Sequence, residues 1–137
     1  MNSIDARKKY LYYLLFGITF LSFNWVQDFI RPNYNGEHRG IIYFLGIAPN
    51  FLPAIGLPAL FYVIIPELFS PKTFIRKNTL GCSIGIAMMG LIGNEFITIY
   101  TPGNGVFYWN DVLWTIIGGV VFYWINKRIH LCENLWV

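Results

Sequence analysis

Four apolar runs, each about as long as a lipid bilayer is thick, divide this chain of 137 residues. They cover residues 9–30, 41–65, 79–100 and 107–125. At a helical rise of about 1.5 Å per residue, about 20 apolar residues cross the hydrocarbon slab. A soluble core of this chain length cannot hide four such runs. The composition agrees, with 55% of residues hydrophobic and 12% charged, outside the balance of a soluble domain. The expected fold is all-α: a polytopic membrane protein, one transmembrane domain built as a bundle of about four transmembrane helices. A short tail, 126–137, mixes Ile129, Leu131, Leu135 and Trp136 with Lys127, Arg128 and Glu133. It reads either as a segment at headgroup level or as an extension of the fourth helix.

The basic residues keep step with the runs. Arg7, Lys8 and Lys9 precede the first, Lys72, Arg76 and Lys77 follow the second, and Lys127 and Arg128 follow the fourth. In a four-pass topology these share one side. Arg31 and Arg39 fall on the other, and segment 101–110 has no basic residue. The positive-inside rule then places both termini in the cytoplasm of a bacterial inner membrane. The first run resembles a signal peptide, but no small-x-small cleavage site follows it, so it reads as an uncleaved helix.

Several functions have no foothold. The net charge of +3 forms no basic stripe of the kind nucleic acid requires. Cys82 and Cys132 are too far apart for a disulfide framework or zinc site, and His38 and His130 fall on opposite sides of the membrane. There is no Gly-rich phosphate loop and no nucleophile elbow. No metal and no cofactor is expected, and the sequence leaves open whether any reaction is catalysed.

The second run carries Pro49, Pro53 and Pro58, with Pro66 at its end. Each interior proline removes a backbone donor and crowds the preceding turn. A kinked or locally broken helix is expected there, with its freed carbonyls met by protein or water.

Ionisable groups in or beside spanning helices are costly, so each is a functional candidate. They are Asp28, Glu67, Glu95 and Asp111. Glu67 lies beside the basic loop and reads as a cap or ion-pair partner. Asp28, Glu95 and Asp111 share the outer ends of helices one, three and four. Glu95 is the deepest, about 7 Å below the rim at helical rise. Its helical face carries Met88, Ile84 and Gly81, with Gly85 at the edge, and Gly81 and Gly85 form a GxxxG suited to close helix packing. The face of Asp111 carries Thr115, Gly118 and Phe122, again with a glycine where another helix can press. Both carboxylates are thus expected to point inward and form one polar site, with Arg31, Arg39, Asn50, Asn94 or Asn110 as partners. The plainer alternative is that they reach water at the helix ends, where Asp111 also caps helix four.

The stretch GLIGNEFITIYTPGNGVFYWNDVLWTIIGGVVFYW, residues 90–124, resembles the C-terminal half of the VanZ-like membrane protein family. In that family a helix carries a glutamate with a polar residue three positions on, and after a loop an aspartate opens a glycine-rich last helix. Glu95 and Thr98 stand at the first motif, and Asp111, Gly118 and Gly119 match the second. Asn50, Pro53 and Gly56 look like its second-helix Asn, Pro and Gly pattern. Three positions depart from the family: Thr98 replaces the usual Gln, Asn104 or Gly105 stands where a loop arginine is common, and Thr115 replaces a frequent asparagine. The resemblance implies an envelope protein and no agreed reaction.

The leading expectation is a protein that binds, and in one version modifies, a lipid-linked or amphiphilic molecule at outer-leaflet carboxylates. Its ligand-binding residues would be Glu95, Asp111, Asn50, Thr115 and Asp28, with Gly81, Gly85 and Gly118 as packing points. Trp25, Tyr100, Tyr108 and Trp109 would frame the site or simply anchor the helices. The expected partner is a membrane lipid or lipid-linked envelope precursor. A small dimeric transporter or proton-coupled carrier is the second reading. The third is a structural subunit, joined to a second copy or to a membrane complex.

Overall fold

The computed structural model describes residues 6–100 and 108–133, and all regular structure among them is helical. Helix α1 (Ala6–Trp25) widens into a π-helical turn (Val26–Ile30) and ends in the single turn α2 (Arg31–Asn33). Then come α3 (Arg39–Leu68), the short α4 (Phe74–Lys77), α5 (Thr79–Ile99) and α6 (Trp109–Glu133). Phe107, where the fourth run was expected to open, lies outside the described residues.

Local chemistry explains the ends. The π turn sits just before Pro32, whose ring crowds the carbonyl four residues back and offers it no N–H. Chain direction changes at Tyr34, which is extended. Between α3 and α5, Thr73 caps α4: its hydroxyl donates to the Ser70 carbonyl at 2.7 Å and accepts from the Arg76 N–H. Arg76 also donates to the Phe69 carbonyl at 3.1 Å, which holds the connection tight.

Helix α3 is the axis of the bundle. It packs on α1, α5 and α6, and α5 also packs on α6, whereas α1 and α5 both lean on α3 and scarcely meet each other. The main core joins Tyr12, Ile55, Ala59, Val63 and Phe122, and a smaller one joins Val26, Leu45 and Ala48. Small residues set the closeness of α3 and α6. A Cβ added at Gly118 would lie 2.5 Å from the Ala54 Cβ and 2.9 Å from the Phe51 carbonyl oxygen. Gly81 and Gly85 behave differently, since a Cβ at either would meet nothing within 4 Å. Among the described residues the packing expected of that GxxxG is not made, because α5 buries Ser83 and Ala87 instead and turns its glycine edge away.

Of the kink or local break expected from the prolines of the second run, the break is absent. Helix α3 continues unbroken past Pro49, Pro53 and Pro58. The carbonyls left without an α-helical donor are those four residues earlier, at Leu45, Pro49 and Ala54.

One end of the bundle is tied by polar contacts. Lys9 Nζ donates to Glu67 Oε1 at 2.6 Å, the ion pair foreseen for Glu67. Lys8 Nζ lies 3.4 Å from His130 Nδ1, and the Tyr62 hydroxyl lies 3.1 Å from His130 Nε2. Asn126 Nδ2 donates to the Tyr12 hydroxyl at 2.7 Å, and both residues are buried. The start of α1 therefore meets the ends of α3 and α6. His130 is a helical residue here, since α6 runs on through the segment 126–133; Leu135 and Trp136 of the expected tail lie outside the described residues.

The surface is more apolar than parts of the interior. Leu14, Ile18 and Leu21 of α1, Ile42 and Phe44 of α3, Ile86 and Met89 of α5, and Leu113, Ile116 and Val120 of α6 are all exposed. Thr19, Ser83, Thr115 and Asn126 are buried. Among the described residues, two helices are long and apolar enough to cross a membrane: Arg39–Leu68, and α5 from Thr79 to Ile97.

Candidate functional site

The site begins as a stripe on α3. Gly46, Pro49, Asn50, Pro53, Gly56 and Leu57 recur at intervals of three, one, three, three and one residues. That spacing follows the helical repeat, so all six lie along one face. The two prolines cost this face little in packing, because it borders open space. The carbonyls of Leu45 and Pro49 are freed beside the same stripe.

Facing it across the gap, α1 contributes Phe16, Thr19, Phe20 and Phe23, followed by Gln27 and Arg31. In an α-helix each four-residue step drifts by about 40°. The wider π turn absorbs part of that drift, and Gln27 and Arg31 stay on the side that Phe23 faces. Leu91, Asn94 and Glu95 of α5 form the third wall, and Asp111 of α6 completes it. Together they line a half-open cavity of about 500 Å³, within the size range of small-molecule sites.

Asp111 is positioned by aromatic anchoring of α6 on α3. Trp114 Nε1 donates to the Tyr43 hydroxyl at 3.0 Å, and that hydroxyl donates to Asn110 Oδ1 at 3.1 Å. Trp114 also meets the Phe51 ring edge-on at 5.8 Å. With the start of α6 held there, Asp111 lines the same cavity as Asn50. The position two residues into α6 also suits a negative charge, by the helix dipole.

The charges interact. Asp111 feels the Arg31 guanidinium, and Glu95 feels the like charge of Asp111. Gln27 accepts from Arg31 Nη1 at 3.3 Å, which steadies the guanidinium on its helix. Two carboxyl groups and one guanidinium thus share the lining. The cavity is also divided along its length. Gln27, Arg31, Asn50, Asn94, Glu95 and Asp111 make one end polar, while Phe16, Phe20, Leu57 and Leu91 make the deeper part mainly apolar, and the Thr19 hydroxyl there is turned to the Leu15 and Phe16 carbonyls. From Asn50 to Leu57 that division spans about 10 Å at helical rise.

No family model, curated protein or solved structure matches the chain. The likeness to VanZ-like proteins therefore stands on the residues quoted above. Of these, Glu95, Asp111, Asn50, Pro53 and Gly56 all line the cavity, and Gly118 is the tight contact beneath it. The side chain of Thr98, and Asn104 and Gly105, lie outside the described residues.

Of the residues expected to bind a ligand, the structure brings Glu95, Asp111 and Asn50 to one cavity and leaves two elsewhere. Asp28 is exposed on the π turn, one residue round from Gln27 and so turned away. Thr115 is 1% exposed and gives its hydroxyl to the Asp111 carbonyl at 2.8 Å, so it supports α6 from within. Arg31 belongs to a helical turn, whereas it was expected in the outer loop. Trp25, Tyr100, Tyr108 and Trp109 are exposed and do not line the cavity. Gln27 and the phenylalanines of α1 were not foreseen. The i, i+4 pair Gln27 and Arg31 is visible in the sequence, but its direction depends on the π turn.

Proposed function

We propose that the chain is a multi-pass inner-membrane protein of about four spans, with both termini cytoplasmic. In this reading it is a VanZ-like envelope protein that binds the polar end of a lipid-linked or other amphiphilic molecule in the cavity among α1, α3 and α5. The observation that carries the reading is the divided lining: charged and amide groups at one end, aromatic and aliphatic groups at the other. Such a lining matches a molecule that is itself polar at one end and apolar at the other.

Two further features support the membrane setting. Every long helix keeps large apolar side chains on the outside, a surface that water penalises and lipid accepts. The interior holds hydroxyls and an amide that find hydrogen-bond partners within the bundle. Glu95 lies four residues before the end of α5, and Asp111 opens α6. A binding site near one membrane face fits that depth better than a transport path through the midplane.

Extraction into native nanodiscs followed by lipid mass spectrometry tests the binding. One amphiphile should be enriched over bulk lipid, and Gly46→Phe should remove the enrichment while leaving thermal melting unchanged. Gly46 lines the cavity and a Cβ there meets nothing within 4 Å, so the added ring has room to occupy the site. Lipid composition identical to bulk membrane in both proteins would refute the reading. For topology, alkaline phosphatase fused after Val137 should be inactive in cells, and a strongly active fusion would reverse the orientation.

A further inference from the structure

The charges on the cavity wall select among headgroups. Arg31 comes from α2, Glu95 from α5 and Asp111 from α6, so both signs are presented from separate elements. A purely anionic headgroup would face two carboxylates, and a purely cationic one would face a guanidinium. A headgroup with both charges meets each wall with its complement.

Donor chemistry narrows the choice. A primary ammonium has three N–H donors, and ionised carboxylates are pure acceptors with several lone-pair sites each. A guanidinium, in turn, presents a planar fork suited to phosphate oxygens. We infer that the polar end of the bound amphiphile is a primary ammonium joined to a phosphate, with the ammonium between Glu95 and Asp111 and the phosphate facing Arg31. The inference rests on the amphiphile reading above. The apolar chains then follow Phe20, Leu57 and Leu91 and leave sideways where α1 and α5 scarcely touch.

The test uses the purified full chain in lipid-free detergent micelles. Ethanolamine, choline and glycerol phospholipids with identical acyl chains are added in equal amounts, and retention is read by native mass spectrometry. Soluble phosphoethanolamine serves as a chain-free competitor. The ethanolamine lipid should be retained about tenfold over the other two, the scale of one charge-assisted hydrogen bond. Glu95→Gln should remove that preference, and Arg31→Gln should lower retention of all three lipids alike. Melting curves establish that each variant is folded; if Glu95→Gln fails to fold, the ranking of the three lipids on the unsubstituted chain decides the ammonium, and Arg31→Gln, at an exposed position, decides the phosphate. Equal retention of the three lipids, with Glu95→Gln silent, overturns the headgroup while the amphiphile reading stands. Competition by phosphoethanolamine as effective as that of intact lipid overturns the lipid source. Retention of no lipid at all overturns the amphiphile reading itself.

Discussion

Gly118→Leu is expected to prevent assembly of the bundle, whereas Gly85→Leu should melt within experimental error of the unsubstituted protein. At Gly118 even a methyl group would overlap the Ala54 Cβ at 2.5 Å and the Phe51 carbonyl at 2.9 Å. The obstacle is backbone and a one-carbon side chain, neither of which can swing aside. Helices α3 and α6 must separate, and α3 is the helix on which α1, α5 and α6 all pack. Overpacking of this kind costs about 1–3 kcal/mol for an added methylene or two, and more when backbone must move. At Gly85 the same substitution extends into open space. Thermal melting of both variants in one detergent makes the comparison. Equal midpoints would show that α3 and α6 are not in this close contact.

The second large effect is expected at Tyr12. Its side chain is 0% exposed, and its ring lies 4.8 Å from Tyr62 and 6.3 Å from Phe122. Its hydroxyl accepts from Asn126, itself 3% exposed. Tyr12→Ala removes the ring and leaves a cavity, a change that costs about 3–5 kcal/mol for a buried aromatic. Tyr12→Phe isolates the hydrogen bond. Between helices in a membrane such bonds are worth about 0.6 kcal/mol on average and about 1.7 at most, so this variant should lose far less. Denaturation in mixed micelles orders the three proteins. If Tyr12→Phe is as damaging as Tyr12→Ala, the hydroxyl rather than the ring carries the stability.

Much of this arrangement was legible in the sequence because helical phase is a strong constraint. Counting back from Glu95 and forward from Asp111 put both carboxylates inward, and Asn50 followed from its own motif. The same counting missed Gln27 and gave Arg31 only as one of several partners for the carboxylates. It assumes a constant number of residues per turn, and the π turn at Val26–Ile30 changes that number just where α1 borders the cavity. One extra residue in the turn is enough to present Gln27 and turn Asp28 outward. The GxxxG at Gly81 and Gly85 failed as a packing signal for another reason. A small residue permits close approach, but which helix arrives is decided by the whole bundle, and in this chain the approach occurs at Gly118. The link between Tyr12 and Asn126 was invisible because it joins residues 114 positions apart. Nothing local to either residue announces the other.

The polar contacts that tie α1 to its neighbours gather in its first two turns. Lys8, Lys9 and Tyr12 reach His130, Glu67 and Asn126, while the cavity lies along the remaining length of the helix. The other end of the helix is held differently. Val26 packs with Leu45 and Ala48 of α3 in an apolar cluster, and five residues link Asn33 to Arg39. Hydrogen bonds are directional and fix how α1 is turned about its axis at one end, whereas apolar burial is not directional and at the cavity end fixes only how closely the helix lies.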